Sequence, residues 1–174
     1  MEKYNEELNV KKANGNSNPL ISARKINLKQ VLDKTHDLEF VREFNQVDYI
    51  NDSKATSLES VFNSLSAIQK PVVWIMEANS ETIDFTIIKN LVKQKVKAII
   101  CIGENKEIVI EHLLDEIKLF VTAADLSEAV NHAAIYSTVG DVVLFSPGTS
   151  ANSLENNFKT RGENFKTSVN QLTK

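Results

Sequence analysis

Short runs of consecutive apolar residues alternate with helical patterns along most of this chain. The runs lie at 72–76, 96–102 and 142–145, and apolar residues between them recur every three or four positions. A run that is apolar at nearly every position predicts a strand buried on both faces, as in a parallel sheet. Strands that alternate with amphipathic helices then predict helices on both faces of that sheet. We therefore expect an α/β, Rossmann-like domain of three layers.

A loosely alternating segment precedes these runs. Residues 38–44 predict a strand, Asn45-Gln46 a tight turn, and 47–50 a second strand. With a short strand at 119–122, the pattern predicts a mostly parallel sheet of about six strands that opens with an antiparallel hairpin. Helices are expected at 57–68, 85–94, 106–115, after Asp125, and at 153–172 with an interruption near Gly162.

The domain boundary is predicted near residue 36. Residues 36–174 show no repeat and no linker, so we expect one domain there. Residues 1–35 form a predicted N-terminal arm, because the first 25 are polar and contain few residues that could form a core. Within the arm, an early helical turn at 4–10 and a short helix at 26–32 are the expected ordered parts. The arm is predicted to be flexible.

Bulk composition excludes several classes of function. The 174 residues carry a net charge of −3, which gives no general attraction to nucleic acid or to an acidic membrane. No apolar run approaches the roughly 20 residues that cross a bilayer, and the N-terminus lacks an apolar signal core. We expect a cytoplasmic protein. The one cysteine, Cys101, excludes a disulfide within the chain and favours a buried core residue over a reactive thiol.

The polar stretch 49–57 joins the end of a predicted strand to the start of a helix. It offers Asp52, Lys54 and Thr56 at the place where an open α/β sheet binds ligands. Thr56 and Glu59 have the spacing of a capping box. A helix start near a lysine attracts anions, so the stretch is a candidate anion site. The alternative is that Thr56 only caps the helix and Lys54 is only solvated.

Common catalytic and cofactor motifs are missing from the sequence. It contains no phosphate loop for ATP, no dinucleotide fingerprint, no nucleophile elbow and no zinc-ligand cluster. What remains is four loops that share one sheet edge, at 52–56, 77–82, 103–105 and 146–152. The last offers hydroxyls, including Ser150, and close backbone amides for a small ligand. Its alternative interpretation is a tight turn that ends in a helix cap at Asn152.

Several segments together carry a family resemblance. Residues 51–56, Asn-Asp-Ser-Lys-Ala-Thr, resemble the N-D-S-K-A-T-N signature of the D-glutamate-adding ligases in the Mur ligase family. The remaining similar segments follow in family order: 36–39 (H-R-x-E), 71–75, 96–103, 140–147 and the F-x-x-R-G-x-x-F motif at 158–165. The resemblance covers residues 36–172 and is to the C-terminal of the family's three domains.

The resemblance implies a place in peptidoglycan precursor synthesis, with the cell-wall and cell-division roles that go with it. It implies an amino-acid and nucleotide face that includes the following residues: Asp52, Lys54, Thr56, Ser150 and Phe158. In the family this domain closes over a central domain that carries ATP and magnesium. We therefore expect this chain to bind no cofactor or metal by itself and to hold no catalytic residue.

The chain departs from the family pattern at contact positions. Asp37 stands at the arginine of H-R-x-E, and Glu81 at the lysine of G-G-x-x-K-G, which aligns with residues 77–82. Ala151 and Ser153 replace a serine and an aspartate. A carboxylate at either basic position would repel a triphosphate or an acidic substrate. Loss of one charge-assisted bond alone costs about 1.5–3 kcal/mol.

Three functions follow from these observations. The first is a non-catalytic binding or regulatory module that acts on a ligase or another cell-wall protein. The second is the substrate-binding lid of an ATP-dependent peptide ligase whose central domain lies elsewhere, with D-glutamate or a similar small acid as ligand. The third is a small-molecule sensor that uses the cleft at the strand ends. The charge reversals at Asp37 and Glu81 favour the first over the second.

Overall fold

A six-stranded sheet forms the centre of the domain. The computed structural model of the chain describes residues 35–80, 83–150 and 157–173. The strands are β1 (Glu39–Phe44), β2 (Val47–Asn51), β3 (Val72–Glu77), β4 (Val96–Ile102), β5 (Leu119–Ala123) and β6 (Val142–Phe145). Their order in the sheet is β1-β2-β6-β3-β4-β5. All neighbours are parallel except β1 and β2, which confirms the predicted sheet and its opening hairpin.

The hairpin turn is made by two residues in the left-handed region. Asn45 and Gln46 have φ angles of 50° and 62°. Positive φ at both central residues is the geometry whose twist matches that of the two flanking strands. The register from Phe44 opposite Val47 therefore follows directly from the predicted two-residue turn.

The helices follow the strands in the expected order. They are α1 (Leu58–Ala67), α2 (Lys89–Lys95), α3 (Lys106–Leu113), α4 (Leu126–Tyr136) and α5 (Phe158–Gln171), with a 3-10 turn at Leu114–Glu116. Helix α2 begins four residues later than predicted. The Asp84 carboxylate accepts a hydrogen bond from the Thr86 amide at 2.9 Å, which holds the chain in a turn before the helix.

Two hydrophobic layers cover the sheet. Trp74 and Met76 of β3 face α1, α2 and α3, whereas Val73 and Ile75 of the same strand face α4 and α5. This alternation follows from the period of two in a strand, and it requires β3 to be apolar on both faces. All six residues of β3 are buried. The three-layer architecture predicted from the sequence is therefore confirmed.

The last helix is continuous through Gly162, so the predicted interruption there is wrong. Helix α5 runs from Phe158 to Gln171. Glycine weakens a helix interior by about 1 kcal/mol relative to alanine, but it does not by itself end a helix. The reason for this glycine lies in the packing of α5, which is described with the site.

The cysteine prediction is confirmed. Cys101 is 1% exposed in β4, and burial raises the pKa of its thiol to about 12. The thiol therefore stays protonated and unreactive at neutral pH. Among the described residues, no helix is both long and apolar enough to cross a membrane. Residues 1–34 of the predicted arm at 1–35 and the predicted cap at Asn152 lie outside the described residues, so those expectations remain predictions. The predicted start of the last helix at 153 is wrong, because Asn157 has an extended backbone and caps a helix that begins at Phe158.

Candidate ligand cleft at the carboxyl edge of the sheet

Neighbouring strands bring three polar loops together. Strands β2, β6 and β3 are adjacent and parallel, so the loops that follow them share one edge. The Gly148 amide donates to the Ala55 carbonyl at 2.8 Å, and the Glu77 amide donates to the Pro147 carbonyl at 3.0 Å. The stretch 52–57 therefore lies beside the Pro147 turn, as the sequence predicted. The loop after β4 shares the edge, and its Asn105 amide donates to the Ala78 carbonyl at 3.0 Å, but it does not line the cleft.

A cleft of about 490 Å³ lies between these loops. Two of the predicted site residues, Thr56 and Ser150, line it. The other lining residues are Ser57, Leu58, Glu59, Asn79, Ser80, Ile83, Asp84, Gly148 and Thr149. The volume suits a small metabolite, and the lining is rich in hydroxyl and amide groups that can hydrogen-bond it.

Among the described residues that line this cleft, the charged ones are Glu59 and Asp84, and both are acidic. Hydrogen bonds from its own amide and from Ser57 lower the pKa of Glu59 below its usual value. Hydrogen bonds from the side chain and amide of Thr86 lower the pKa of Asp84. Both carboxylates are therefore ionised at neutral pH. The described lining attracts cations and repels a free dicarboxylate.

The helix cap is one residue later than predicted. Ser57, with an extended backbone, accepts a hydrogen bond from the Ser60 amide through its side-chain oxygen at 3.3 Å. The capping-box interpretation of Thr56 with Glu59 is therefore wrong. Thr56 lines the cleft instead of capping the helix.

Asp52 is buried beneath the loop rather than exposed on it. It is 3% exposed, and its carboxylate accepts from the Ser146 hydroxyl at 2.7 Å and from the Leu38 amide at 3.3 Å. Burial raises the pKa of Asp52 to about 6, although Ser64 and Ser146 donate to it. Its visible role is to join the loop after β2 to the loop after β6.

Lys54 and Phe158 contact each other but do not line the cleft. The Lys54 ammonium lies 5.9 Å from the centre of the Phe158 ring, within cation–π distance. The Lys54 amide donates to the His36 carbonyl at 3.0 Å. The His36 ring in turn meets the Phe158 ring edge-on, with 5.8 Å between ring centres. The structure therefore brings these two predicted site residues together through His36.

His36 packs where three elements meet. It is 6% exposed and has a φ of 65°, and its Nδ1 lies 3.1 Å from Asn51 Nδ2 and 3.3 Å from the Ser53 hydroxyl. A Cβ on Gly162 would lie 2.2 Å from His36 Nδ1 and 2.5 Å from the Ser53 hydroxyl. Gly162 is therefore required by space. The sequence showed His36 only as part of a motif, and no spacing signal revealed this contact.

Glu39 binds His36 and its neighbour Asn51. Its carboxylate accepts from the His36 amide at 3.0 Å, from Asn51 Nδ2 at 2.9 Å and from the Lys166 ammonium at 3.2 Å. Burial favours a raised pKa for Glu39, but these three donors outweigh it and hold the pKa below its usual value. The ionised carboxylate thus connects β1, β2 and α5 behind the Lys54 loop.

A buried ion pair joins α5 to the end of β3. Arg161, 2% exposed, donates from Nη1 to Glu77 at 2.8 Å and to the Thr149 carbonyl at 3.2 Å. Asn79 Nδ2 donates to the same Glu77 oxygen at 2.9 Å. Neither partner was a predicted contact, because 84 positions separate Glu77 from Arg161 in the chain.

Of the four contact positions at which the chain departs from the family pattern, Asp37, Glu81, Ala151 and Ser153, the structure describes Asp37 alone. Asp37 is partly exposed, and its charge contributes to the raised pKa of Asp52. Glu81, Ala151 and Ser153 lie outside the described residues. No group of three histidine, cysteine or acidic side chains that could hold a metal ion occurs within 35–80, 83–150 and 157–173.

The fold and cleft define a mostly parallel α/β domain that presents a ligand cleft at the carboxyl edge of its sheet. The family model described as "Mur ligase, glutamate ligase domain" matches residues 38–149. The chain belongs to the Mur ligase family. It is 40% identical over 137 residues to the UDP-N-acetylmuramoylalanine--D-glutamate ligase of Chloroherpeton thalassium, a match that covers 79% of this chain and 29% of that protein.

Solved structures support the same fold. The murein peptide ligase of Psychrobacter arcticus has a TM-score of 0.54 at 12% identity, over 80% of this chain and 31% of that one. A second structure is the bifunctional folylpolyglutamate synthase/dihydrofolate synthase of Yersinia pestis, complexed with AMPPNP and Mn ion. It has a TM-score of 0.53 at 18% identity, over 79% of this chain and 32% of that one. The chain thus corresponds to about a third of each of these two proteins.

Proposed function

We propose that this chain is a divergent Mur ligase domain that acts as a non-catalytic binding or regulatory module in peptidoglycan precursor synthesis. Its partner would be a D-glutamate-adding ligase or another cell-wall protein in the cytoplasm. The proposal follows the chain's similarity to D-glutamate-adding ligases and the fact that it spans about 30% of their length. The intact relatives would supply ATP and magnesium, and this chain would bind neither by itself.

The acidic cleft is the observation that carries this proposal. Thr56 and Ser150 are retained in the cleft, but Glu59 and Asp84 are its charged lining residues. Free D-glutamate carries two carboxylates and would enter against that charge. Glu81, which replaces the family's lysine, adds a further acidic residue to this segment of the sequence. A lid that held D-glutamate would need the opposite sign of charge.

The nucleotide-facing role implied for Asp52 finds no support in its position. A carboxylate that is 3% exposed and bonded to Ser146 and Leu38 is not presented to a ligand. Asp37, at the position of the family's arginine, places a negative group near the same loop. Both features favour a module that has lost the ligase contacts. They argue against the alternative, a substrate-binding lid whose central domain lies on another chain.

Titration calorimetry with D-glutamate tests the proposal directly. We expect no measurable heat at millimolar ligand, with or without ATP and magnesium. The single tryptophan, Trp74, donates to the Ser146 carbonyl at 2.7 Å and gives an independent fluorescence signal from the cleft loop. Micromolar D-glutamate binding would overturn the proposal in favour of the substrate-binding lid, which the hydroxyls of Thr56 and Ser150 would then serve.

A charge-restoring double variant sharpens the test. Asp37→Arg with Glu81→Lys recreates the family's basic residues, and we expect it to gain D-glutamate affinity. The matched control is Asp37→Asn with Glu81→Gln, which removes the same negative charges without adding positive ones. Equal binding by both double variants would show that repulsion alone excluded the ligand. A regulatory role is tested by adding the wild-type chain to a D-glutamate-adding ligase and measuring the rate of ligation.

A further inference from the structure

Asn51 determines which nitrogen of the His36 ring carries a proton. The Asn51 side-chain oxygen accepts from the Ser53 amide at 3.2 Å, and a backbone amide can only donate. Asn51 Nδ2 donates to the Glu39 carboxylate at 2.9 Å, and an ionised carboxylate can only accept. Partners whose roles cannot reverse therefore fix the orientation of the Asn51 side-chain amide.

The same amide nitrogen also contacts His36. Asn51 Nδ2 lies 3.1 Å from His36 Nδ1. Because Nδ2 carries only donors, Nδ1 must accept, and a ring nitrogen that accepts carries no proton. The Ser53 hydroxyl, 3.3 Å from Nδ1, can donate to the same nitrogen. The ring is then neutral, with its proton on Nε2, which lies 3.6 Å from the Glu163 carboxylate.

The turn that carries this ring is strained. His36 and Leu38 have φ angles of 65° and 49°, in the left-handed region that is unfavourable for residues other than glycine. Strain of this kind persists where the surrounding contacts hold it, and it is typical of switch regions. The His36 ring packs against Phe158 and Gly162 of α5, and its carbonyl accepts from the Lys54 amide at 3.0 Å. His36 therefore joins the strained turn, the stretch 51–56 and α5.

We propose that His36 is a proton-sensitive latch: the neutral ring holds the stretch 51–56 against α5, and protonation of Nδ1 releases it. A proton on Nδ1 would face Asn51 Nδ2, so two donors would meet and the hydrogen bond would be lost. Asn51 and Lys54 both belong to the stretch and both bind His36. This response to acid goes beyond the proposed function and needs no ligand in the cleft.

Charged groups from three elements face the ring. Burial lowers the pKa of His36 most, and the ammonium groups of Lys166 and Lys54 lower it further, against the opposing effect of the Glu39 and Glu163 carboxylates. The folded chain therefore favours the neutral ring. The latch is closed above the usual histidine pKa of 6.5 and loosens as the pH falls below it. A pKa lowered by one unit corresponds to a shift of about tenfold between the closed and open forms.

Nitrogen NMR of the full, isotope-labelled chain tests the latch. At neutral pH we expect His36 Nδ1 to resonate as an unprotonated nitrogen and Nε2 as a protonated one; His36→Gln identifies these signals among the three histidines. Below pH 6.5 both nitrogens should become protonated. The hydrogen-exchange protection factor of the Lys54 amide should fall about tenfold with the same midpoint.

A double variant reverses the hydrogen-bond roles around the ring. Asn51→Asp with Glu39→Gln keeps the net charge, and the new carboxylate can still accept from the Ser53 amide. It can also accept from His36 Nδ1, so we expect the proton to move to Nδ1 at neutral pH and the pKa of His36 to rise above 6.5. The matched control is Glu39→Gln alone, which leaves Asn51 as a donor and should keep the proton on Nε2.

Asp52 titrates nearby, with its pKa raised to about 6, so its effect has to be distinguished. The loss of Lys54 protection in acid should persist in Asp52→Asn and disappear in His36→Gln. A protection loss that is equal in wild type and His36→Gln, or absent from Asp52→Asn, would overturn the inference. So would a proton on Nδ1 of the wild type at neutral pH, a result that stands even if His36→Gln does not fold. None of these outcomes bears on D-glutamate or ligation, so the proposed function is tested separately.

Discussion

Charged side chains are bonded differently at the two ends of the sheet. At the amino end, the Asp141 carboxylate accepts from the Lys97 ammonium at 2.5 Å, from the Thr138 amide at 2.7 Å and from the Thr138 hydroxyl at 3.0 Å. At the carboxyl end, the donors that contact Asp52 are neutral, and two nitrogen atoms of Arg161 have no acceptor among the described residues. Satisfied networks of this kind stabilise a fold, whereas strained electrostatics cluster at functional sites.

The comparison predicts opposite effects for the two buried aspartates. Burial raises the pKa of Asp52 from 3.8 to about 6, so the folded state holds the proton more tightly than the unfolded state. The stability from protonated Asp52 is complete below pH 3.8 and is lost as the pH rises through about 6. Relative to Asp52→Asn, the wild type should lose up to about 3 kcal/mol between about pH 4 and pH 7.

Urea unfolding of both proteins across this pH range provides the measurement. The matched variant is Asp141→Asn, which should destabilise by about 1.5–3 kcal/mol at neutral pH because it weakens charge-assisted bonds to Lys97 and Thr138. If Asp52→Asn also costs stability at neutral pH, the carboxyl end is as well satisfied as the amino end, and the comparison fails.

Two glycines, one at each end, are expected to resist substitution for different reasons. Gly162→Ala forces a Cβ to within 2.2 Å of His36, and we expect a loss of about 1–3 kcal/mol despite the better helix propensity of alanine. Gly140 has a φ of 90° and nothing within 4 Å of a built Cβ, so its cost comes from the backbone alone. Thermal unfolding measures both.

Replacement of His36 distinguishes the steric cost at Gly162 from the backbone cost at Gly140. His36→Ala removes the atoms nearest the new Cβ, so it should reduce the cost of Gly162→Ala and leave the cost of Gly140→Ala unchanged. Additive losses in the double variant of His36 and Gly162 would mean that the close contact does not determine the choice of glycine.

The sheet could be predicted from the sequence because each strand is marked by a pattern of neighbouring residues. The runs 72–76, 96–102 and 142–145 are apolar at nearly every position, and Asn45-Gln46 suits the turn between β1 and β2. The edge shared by the loops followed from parallel topology alone. None of these inferences needed a contact between residues that are distant in the chain.

The details of the site depend on long-range contacts, and they could not be predicted in the same way. Gly162 suggested a helix break because its partner, His36, is remote in sequence. The pair of Glu77 and Arg161 has no spacing pattern, and burial of Asp52 depends on Ser146 from another strand end. A local pattern reports propensity, whereas these contacts are decided by tertiary packing.

The smallest expected effect is the difference in stability between variants of two adjacent residues, Ser57 at the helix cap and Thr56 in the cleft. Ser57 caps α1 through a 3.3 Å bond to the Ser60 amide, so Ser57→Ala should cost about 0.5–1 kcal/mol. Thr56 lines the cleft and does not cap the helix, so the stability of Thr56→Ala should stay within about 0.5 kcal/mol of the wild type. Urea unfolding of the two variants distinguishes the roles, because the sequence alone had assigned the cap to Thr56. A larger loss of stability for Thr56→Ala than for Ser57→Ala would contradict this assignment. It would show that Thr56 caps the helix and that its hydroxyl stabilises the fold.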